Sequence, residues 1–326
     1  MYTFTVIMPV YNASGKIRKS INSVLKQTYQ DFEIIAIDDG SVDDSLSVLK
    51  ELELFNNKLK VLHQDNKGPG AARNYGISKS MSHYIAFLDA DDYWEPDFLE
   101  NIIKNSDDLT ADIIFYDVIK EREDGSVIYE SNNYECKKLP KQTLIEYQMT
   151  GKLPWGMIKV VNRKLLLSVK EGFSNLAVGE EALISYELLK YSNNIKFVEK
   201  PIYHYVQSSS GQHTQGNLDP WKKLVQLMTA YMVSNGEYER YKSTINSLAL
   251  KALCISIYRC SQGNNLLEAS KLVKQKYIEY ATEYNLNDLN LAALDRNSVL
   301  IHKVLKIKLY WLLVMLSKYR KRKLAY

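Results

Sequence analysis

The stretch that decides the fold is IAFLDADDYW, residues 85–94, where an apolar run ends abruptly in three carboxylates within four positions. The apolar half is typical of a buried β-strand. The aspartates cannot be buried beside it without partners, because each isolated charge would cost several kcal/mol. They therefore lie at the end of the strand, in water or facing a cation. Since Mg²⁺ and Mn²⁺ prefer carboxylate oxygens, the stretch indicates either a solvated acidic loop or a metal–diphosphate site.

Upstream of this stretch, strand and helix patterns alternate along the chain. Apolar, β-rich runs cover 4–10, 32–37, 59–62 and 84–88. Apolar residues at helical spacing follow the first two runs, and a short helix opened by Pro69 follows the third. This βαβαβαβ order predicts an α/β fold with a mainly parallel sheet and helices on its faces. Because such sheets bind ligands at the carboxyl ends of their strands, the acidic stretch would lie on a ligand-binding edge.

That edge would gather candidate ligand-binding residues from all four strand ends. In addition to the acidic stretch they are Pro9, Tyr11, Asp38, Asp39, Asn66 and Arg73. The Tyr11 ring can stack on a base, and Asp38 or Asp39 can accept the imide N–H of uracil. Arg73 can either neutralise a phosphate or form a surface ion pair. The chain contains neither a GxGxxG nor a P-loop motif, which disfavours dinucleotide and P-loop nucleotide sites.

Length and composition predict a soluble protein of two domains. The 326 residues exceed one typical core, and 46% apolar and 25% charged residues are ordinary for a globular chain. The start of the sequence has no signal-peptide pattern. Three cysteines show no metal-binding spacing, so we expect them to be reduced, as in a cytoplasmic protein.

The positive charge is concentrated in residues 299–326, which hold eight Lys and Arg and no acid. In residues 1–298 the other 34 basic residues are outnumbered by 38 acids, which argues against a nucleic-acid partner. The apolar run 309–317 is far shorter than the roughly 20 residues that span a bilayer. This segment predicts a basic amphipathic helix on an anionic membrane surface, at the inner face of the plasma membrane; the alternative is a helix docked on the protein.

Five motifs, in order along the chain, are similar to those of the inverting family-2 glycosyltransferases. They are IMPVYN (7–12), SVLKQTY (23–29), IDDGSVD (37–43), NKG with AARN (66–74) and FLDADD (87–92). Weaker matches continue with PWG (154–156), NRKLL (162–166), GEE (179–181) and YHY (203–205). The resemblance implies the GT-A fold, a Rossmann-like nucleotide-sugar-binding domain.

This resemblance also implies a UDP-sugar donor bound with Mn²⁺ or Mg²⁺. In the family pattern Asp39 holds the uracil, Asp89 contacts the ribose or a metal-bound water, and Asp91 ligates the metal. The Asp92 carboxylate either lies behind the metal ligands or caps the next helix. The full implied donor site comprises Pro9, Tyr11, Asp38, Asp39, Asn66, Arg73, Asp89 and Ala90, with Asp91 and Asp89 as metal ligands.

An inverting transfer needs a general base, which the family places in a Glu-Asp pair at a helix start. Here the pair is Glu180–Glu181, so Glu181 is the predicted base and Glu180 a neighbour that could hold the acceptor. The family aspartate is replaced by a side chain one methylene longer. Acids in the first turn of a helix also suit its dipole without any catalytic role.

Further residues downstream fit the same resemblance. His204 or His213 could be an additional metal ligand, although a lone histidine between tyrosines is more often packed or exposed. Trp155 could line the acceptor side. Serine- and glycine-rich residues 208–217 suggest a lid over the donor.

Helical patterns dominate after residue 218, and they predict an appended all-helical domain. The expected division is a GT-A domain at 1–217, a helical domain at 218–298 and the basic segment at 299–326. The predicted activity is metal-dependent, inverting hexosyl or N-acetylhexosaminyl transfer from a UDP-sugar to a hydroxyl of a glycan, glycolipid or glycoprotein acceptor in bacterial glycan assembly. The alternative is a catalytically idle nucleotide-sugar-binding or scaffolding protein.

Overall fold

A computed structural model describes most of the chain as two compact units. The described residues are 2–153, 159–174, 176, 179–207, 219–262 and 264–324, with side chains up to 319. One unit comprises Met1–Lys141, Trp155–Asn175 and Glu180–Gln215; the other comprises Gln142–Pro154, Leu176–Gly179 and Gly216–Tyr326. These units are defined by contacts and not by independent folding, so the domain boundaries at 217 and 298 stay a prediction.

The amino-terminal part of the first unit has the predicted alternation of strands and helices. Its elements are β1 (Phe4–Val10), α1 (Ile17–Leu25), β2 (Phe32–Asp39), α2 (Ser45–Phe55), β3 (Leu59–Gln64), α3 (Pro69–Lys79) and β4 (Tyr84–Phe87). The four strands are parallel and lie in the order β3-β2-β1-β4. Every residue of β1 is buried, because helices cover both faces of a parallel sheet. The predicted α/β class is confirmed.

The sheet continues with strands that are distant in sequence. The further elements are β5 (Tyr93–Trp94), α4 (Phe98–Lys104), β6 (Ile113–Arg122), β7 (Val127–Glu130), β8 (Lys159–Asn162), α6 (Arg163–Ser168), α7 (Ala182–Tyr191) and β9 (Ile195–Gln207). From β4 the order runs β8-β6-β9-β5, with β7 beside β6. The β8 strand is antiparallel to both neighbours, whereas β6 and β9 are parallel. The described sheet of nine strands is thus parallel at one end and mixed at the other.

The second unit is helical, as predicted for the region after 218. It contains α5 (Lys141–Met149), α8 (Pro220–Ser234), α9 (Tyr238–Cys260), α10 (Leu266–Glu283), α11 (Arg296–Lys306) and α12 (Tyr310–Leu324). Asp219 forms hydrogen bonds with residues of three of these helices. It caps α8 at the Lys222 amide and accepts hydrogen bonds from Ser256 Oγ of α9 at 2.6 Å and Tyr280 Oη of α10 at 3.1 Å.

Two expectations from composition concern the cysteines and the membrane. No disulfide joins any two of the described cysteines, Cys136, Cys254 and Cys260. Among the helices of the described residues, none combines the length and apolar character needed to cross a bilayer.

Close packing of α3 against the sheet depends on Gly76. A Cβ atom there would lie 2.7 Å from Ile7 Cγ2 and 2.9 Å from Ile37 Cδ1, in the buried interior. We expect Gly76→Ala to lower the free energy of unfolding by about 1–3 kcal/mol, although alanine favours a helix by about 1 kcal/mol. Urea denaturation measures this change. Gly15→Ala is the control, because a Cβ there meets nothing within 4 Å; an equal effect of both substitutions would contradict the packing argument.

Candidate active site

The end of β2 carries Asp38 and Asp39, at the predicted edge of the sheet. The Asp39 carboxylate accepts hydrogen bonds from Gln64 Nε2 at 2.7 Å and from the amides of Lys67 at 2.9 Å and Gly68 at 2.8 Å. It therefore holds the turn that carries Asn66 and leads into α3. Asp38 is fully buried; its Oδ2 lies 2.8 Å from His63 Nδ1, whereas its Oδ1 has no hydrogen-bond partner.

Tyr11 follows β1 at the same edge and is 42% exposed. The backbone turns at Asn12, which has a φ of 50° and is hydrogen-bonded to Ser41 Oγ and to the Val42 amide. This turn leaves the Tyr11 ring accessible for stacking, as expected. Pro9 is buried within β1.

The acidic stretch forms a tight turn after β4. The Asp92 amide donates to the Asp89 carbonyl at 3.1 Å, and the buried Ala90 carbonyl accepts from Ser20 Oγ at 2.8 Å. Asp92 is buried, where it accepts hydrogen bonds from Tyr203 Oη at 2.6 Å and from the Val206 amide at 2.8 Å. Asp92 thus anchors the turn to β9.

The expected capping role of Asp92 is wrong. Helix α4 begins only at Phe98, and Asp97 occupies its N-cap position. Five residues separate Asp92 from the helix, and the first two form β5, which pairs with Tyr203 and His204 of β9. The sequence pattern missed this short strand, because two residues give no periodicity.

Crowding in the turn raises the pKa of two of its carboxyl groups, Asp91 and Asp92. Burial and the neighbouring Asp89 raise the pKa of Asp91, although Lys16 opposes the shift. Burial and Asp89 also raise the pKa of Asp92 well above its ordinary value. Such a set of crowded oxygens fits a hard divalent cation, because a bound cation would relieve the repulsion.

The described residues do not form a complete metal cage of their own. Among them, no group of three or more His, Cys, Asp or Glu is arranged to hold an ion. This is compatible with the coordination that Mg²⁺ prefers, in which one or two carboxylates are joined by substrate phosphates and water.

Arg73 of α3 connects the acidic turn to the Glu180–Glu181 pair. Its Nη2 lies 2.7 Å from Asp89 Oδ1, and its Nη1 lies 3.2 Å from Glu180 Oε1 and 3.9 Å from Glu181 Oε1. The side chain is only 5% exposed, so the expected alternative of a surface ion pair is wrong. Burial alone would lower the pKa of Arg73, but the three carboxylates raise it above its ordinary value and the guanidinium stays charged.

A loop packed on the start of α3 positions the glutamate pair. Asn74 exchanges hydrogen bonds with the backbone of Phe173 through both ends of its amide, at 3.1 Å each. The next residue, Ser174, donates its amide to the Glu180 carbonyl at 3.0 Å. Gly70 permits this approach, since a Cβ there would lie 2.6 Å from the Ser174 carbonyl oxygen.

Glu181 precedes α7 and has the ionisation expected of a general base. Burial and the charge of Glu180 raise its pKa to about 7, against the opposing attraction of Arg73. A carboxyl group with this pKa exchanges its proton readily near neutral pH.

Lys159 of β8 is a second ionisable group at this site that the sequence analysis missed. Burial lowers its pKa to about 8, and the negative charge of Glu181 opposes that shift. The side chain is 1% exposed. The available signal was a lysine directly before the apolar pair Val160–Val161, at a strand position that should be buried.

His204 lies in a different arrangement from the one expected of a metal ligand. Its Nδ1 lies 3.1 Å from Glu121 Oε2 and its Nε2 lies 2.8 Å from Glu95 Oε1, while its ring stacks on Tyr93 with centroids 4.2 Å apart. Metal ligation would require His204 to give up one of these two carboxylate contacts.

Several other predicted residues cannot be placed. Trp155, His213 and the proposed lid at 208–217 lie outside the described residues. Their expected roles stay predictions.

Comparisons with known proteins identify the family and the fold of the chain. The family model described as "Glycosyl transferase family 2" matches residues 5–167. The chain is 26% identical to EpsH of Bacillus subtilis (strain 168), over 99% of this chain and 96% of that protein. It is 25% identical to the glycosyltransferase GlyG of Streptococcus pneumoniae serotype 4, over 86% of this chain and 92% of that protein.

A similar fold occurs in a solved structure, residues 1–349 of Staphylococcus aureus TarS. The TM-score is 0.66 at 19% identity, and the match covers 98% of this chain and 91% of the other. A second structure of the same protein, with UDP-GlcNAc bound, gives a TM-score of 0.63, covering 87% and 92% of the two chains. This likeness supports the GT-A fold.

Proposed function

Because the chain belongs to glycosyl transferase family 2, we propose that it transfers a sugar from a UDP-sugar to a hydroxyl of a glycan acceptor, with inversion and with a divalent cation. The observation that carries the proposal is the buried Arg73, whose guanidinium contacts both Asp89 of the acidic turn and Glu180 of the pair. Arg73 therefore connects the proposed donor-binding edge to the glutamate pair that contains the candidate base, Glu181.

The proposed donor site uses the strand ends. Tyr11 stacks on the uracil, and Asp38 or Asp39 accepts the imide N–H. The two candidate acceptors are Asp38 Oδ1, which is buried and has no hydrogen-bond partner, and the Asp39 carboxylate, which also holds the loop. UDP-GlcNAc bound to TarS supports a UDP-sugar, and an N-acetylhexosamine donor is therefore the first to test.

Asp91 and Asp89 are the proposed ligands of Mn²⁺ or Mg²⁺, whereas His204 is held in its two ion pairs. A bound cation would neutralise the diphosphate and stabilise UDP as it leaves. Asp92 and Tyr203 hold the turn that presents these carboxylates.

Glu181 is the proposed base. In its ionised form it removes the proton of the acceptor hydroxyl while that oxygen attacks the anomeric carbon from the face opposite UDP. Arg73 stabilises the ionised form, while burial and Glu180 keep the pKa near neutrality. The longer glutamate replaces the family aspartate without loss of this chemistry.

The acceptor is proposed by class alone. We propose a glycan, glycolipid or glycoprotein of bacterial surface assembly, because the relatives EpsH and GlyG are glycosyltransferases of bacteria. The nearby carboxylate of Glu180 is suited to accept a hydrogen bond from a second hydroxyl of such an acceptor.

A UDP-release assay tests the proposal. Purified protein is incubated with a panel of UDP-sugars and a bacterial surface-glycan fraction, with Mn²⁺, with Mg²⁺ or with EDTA. We expect metal-dependent release of UDP with one donor, and an inverted anomeric linkage by NMR. UDP binding without turnover of any donor would instead support the idle nucleotide-sugar-binding protein.

Asp91→Asn should remove the metal dependence of UDP binding. Because the variant loses a negative ligand, we expect the affinity for UDP in Mn²⁺ to fall by about 10–100-fold, to the level seen in EDTA. Isothermal titration calorimetry measures this loss. Asp124→Asn, in the exposed turn between β6 and β7, is the matched control. An unchanged Mn²⁺ effect in Asp91→Asn would remove Asp91 from the metal site.

A further inference from the structure

Helix α12 carries apolar side chains on two opposite faces. One face is buried, with Leu313 and Val314 at most 2% exposed. On the same side Tyr310 lies 6.2 Å from Tyr277 of α10 between ring centroids, and Lys318 Nζ donates to the Asn264 carbonyl at 2.7 Å. This face docks α12 against the helical unit, as the alternative to membrane binding predicts.

The opposite face of α12 is apolar and accessible. Trp311, Met315, Leu316 and Tyr319 are between 44% and 64% exposed. At about 100° per residue these side chains and the half-buried Leu312 cover an arc of about 140°, which contains no charged residue within 310–319. Because these four side chains stay exposed while Leu313 and Val314 are buried, this face lacks a partner among the described residues.

Positive charge surrounds this exposed face in the sequence. Lys303, Lys306 and Lys308 are exposed, residues 320–323 are all basic, and 299–326 contain no acid. A second copy of the chain would bring the same positive charges together, which disfavours self-association. A bilayer with anionic headgroups satisfies both features, because it accepts the apolar side chains and neutralises the lysines.

We propose that the exposed face of α12 binds the surface of a bilayer that contains anionic phospholipids. Trp311, Met315 and Tyr319 enter the headgroup region, while Leu313 and Val314 keep the helix docked on the protein. This interaction goes beyond glycosyl transfer itself. It would hold the protein at the inner face of the plasma membrane, where lipid-linked acceptors are accessible.

Vesicle flotation of the full chain tests the proposal. Vesicles of phosphatidylcholine with phosphatidylglycerol should bind the wild type, and Trp311→Ser/Met315→Ser should bind about tenfold more weakly. Because both residues are half exposed, the double variant should keep its thermal midpoint and its UDP release in lipid-free buffer. Leu54→Ser/Phe55→Ser is the matched control, since these α2 residues are 83% and 81% exposed; it should bind like the wild type.

A charge variant tests whether the lysines contribute to membrane binding. Lys303→Gln/Lys306→Gln should weaken binding to the anionic vesicles by about fivefold for each lysine that lies at the membrane surface. The proposal is overturned if the wild type does not float, if it binds phosphatidylcholine alone equally well, or if Trp311→Ser/Met315→Ser binds normally. Sedimentation velocity tests whether a second copy of the chain covers this face instead. A wild-type dimer that is lost in Trp311→Ser/Met315→Ser, while flotation is unchanged, would assign the face to self-association.

Discussion

Replacing Glu181 by Gln is expected to lower kcat by about 10²–10⁴-fold while leaving the affinity for UDP unchanged. The amide keeps the size and hydrogen-bonding capacity of the carboxyl group but cannot accept the acceptor proton. UDP release at saturating donor measures turnover, and calorimetry measures UDP binding. Glu199→Gln, at an exposed position of β9, is the matched control and should retain wild-type values. Wild-type turnover in Glu181→Gln would mean that another group is the base.

The wild-type pH profile should report the same carboxyl group. Since the pKa of Glu181 is about 7, the protonated form dominates below neutrality and cannot act as a base. We therefore expect kcat/KM to fall tenfold per pH unit on the acid side, with a midpoint near pH 7. A midpoint near the ordinary glutamate value of 4.5 would contradict the assignment.

The same substitution should stabilise the folded protein at alkaline pH. The pKa of Glu181 is higher in the folded protein than the ordinary value of 4.5, so the unfolded chain releases this proton at a lower pH. Its contribution to stability is consequently lost as the pH rises from about 4.5 to about 7, and it stays lost above. Glutamine does not ionise, so Glu181→Gln should raise the free energy of unfolding by about 1–3 kcal/mol at pH 8 and by little at pH 4. Urea denaturation at the two pH values measures the difference.

The amino-terminal part of the fold could be predicted because its signals are local. Each strand from β1 to β4 is a short apolar run, each following helix has its own periodicity, and parallel pairing then follows from their alternation. The predicted and observed bounds of β1 are identical, at Phe4–Val10. The same local order placed Asp39, Tyr11 and the acidic turn on one edge.

The remaining sheet depends on pairings between distant segments, which single-sequence patterns do not reveal. The β8 strand has four residues and joins β4 to β6, and β5 has only two residues beside β9. The positions of the buried residues of the site depend on those strand pairings. Lys159 reaches the vicinity of Glu181 only because β8 enters the sheet, and His204 is engaged by Glu95 and Glu121 because β9 lies between β5 and β6.

Arg73→Lys should break the simultaneous contact of residue 73 with Asp89 and Glu180 while keeping its positive charge. The two Nη atoms of Arg73 contact Asp89 at 2.7 Å and Glu180 at 3.2 Å simultaneously, whereas a lysine presents one ammonium group that cannot contact both at these positions. With less positive charge beside Glu181, its ionised form becomes less favourable and its pKa rises further. We expect the acid limb of the kcat/KM profile to move up by about one pH unit, so that activity at pH 7 falls by about fivefold and is almost restored at pH 9.

The pH profile distinguishes this positioning role from a general loss of structure. A merely destabilised enzyme would lose activity at all pH values, with the midpoint of the acid limb unchanged. Arg163→Lys is the matched control, because Arg163 lies in the same unit and donates from Nε to Ser80 Oγ at 3.2 Å without contacting the glutamate pair. An acid limb that stays in place in Arg73→Lys would show that Arg73 does not set the ionisation of Glu181.

Removing the charge altogether tests the energetic cost of the buried carboxylates. Arg73→Gln leaves Asp89, Glu180 and Glu181 without their common cation, and we expect the free energy of unfolding at pH 8 to fall by about 3–5 kcal/mol. Because the loss comes from unpaired negative charge, a second substitution, Glu180→Gln, should restore part of it, so that the double variant is more stable than Arg73→Gln alone. Additive losses in the double variant would mean that the buried guanidinium stabilises the fold through packing on Phe173, 5.5 Å from its ring, and not through the acids.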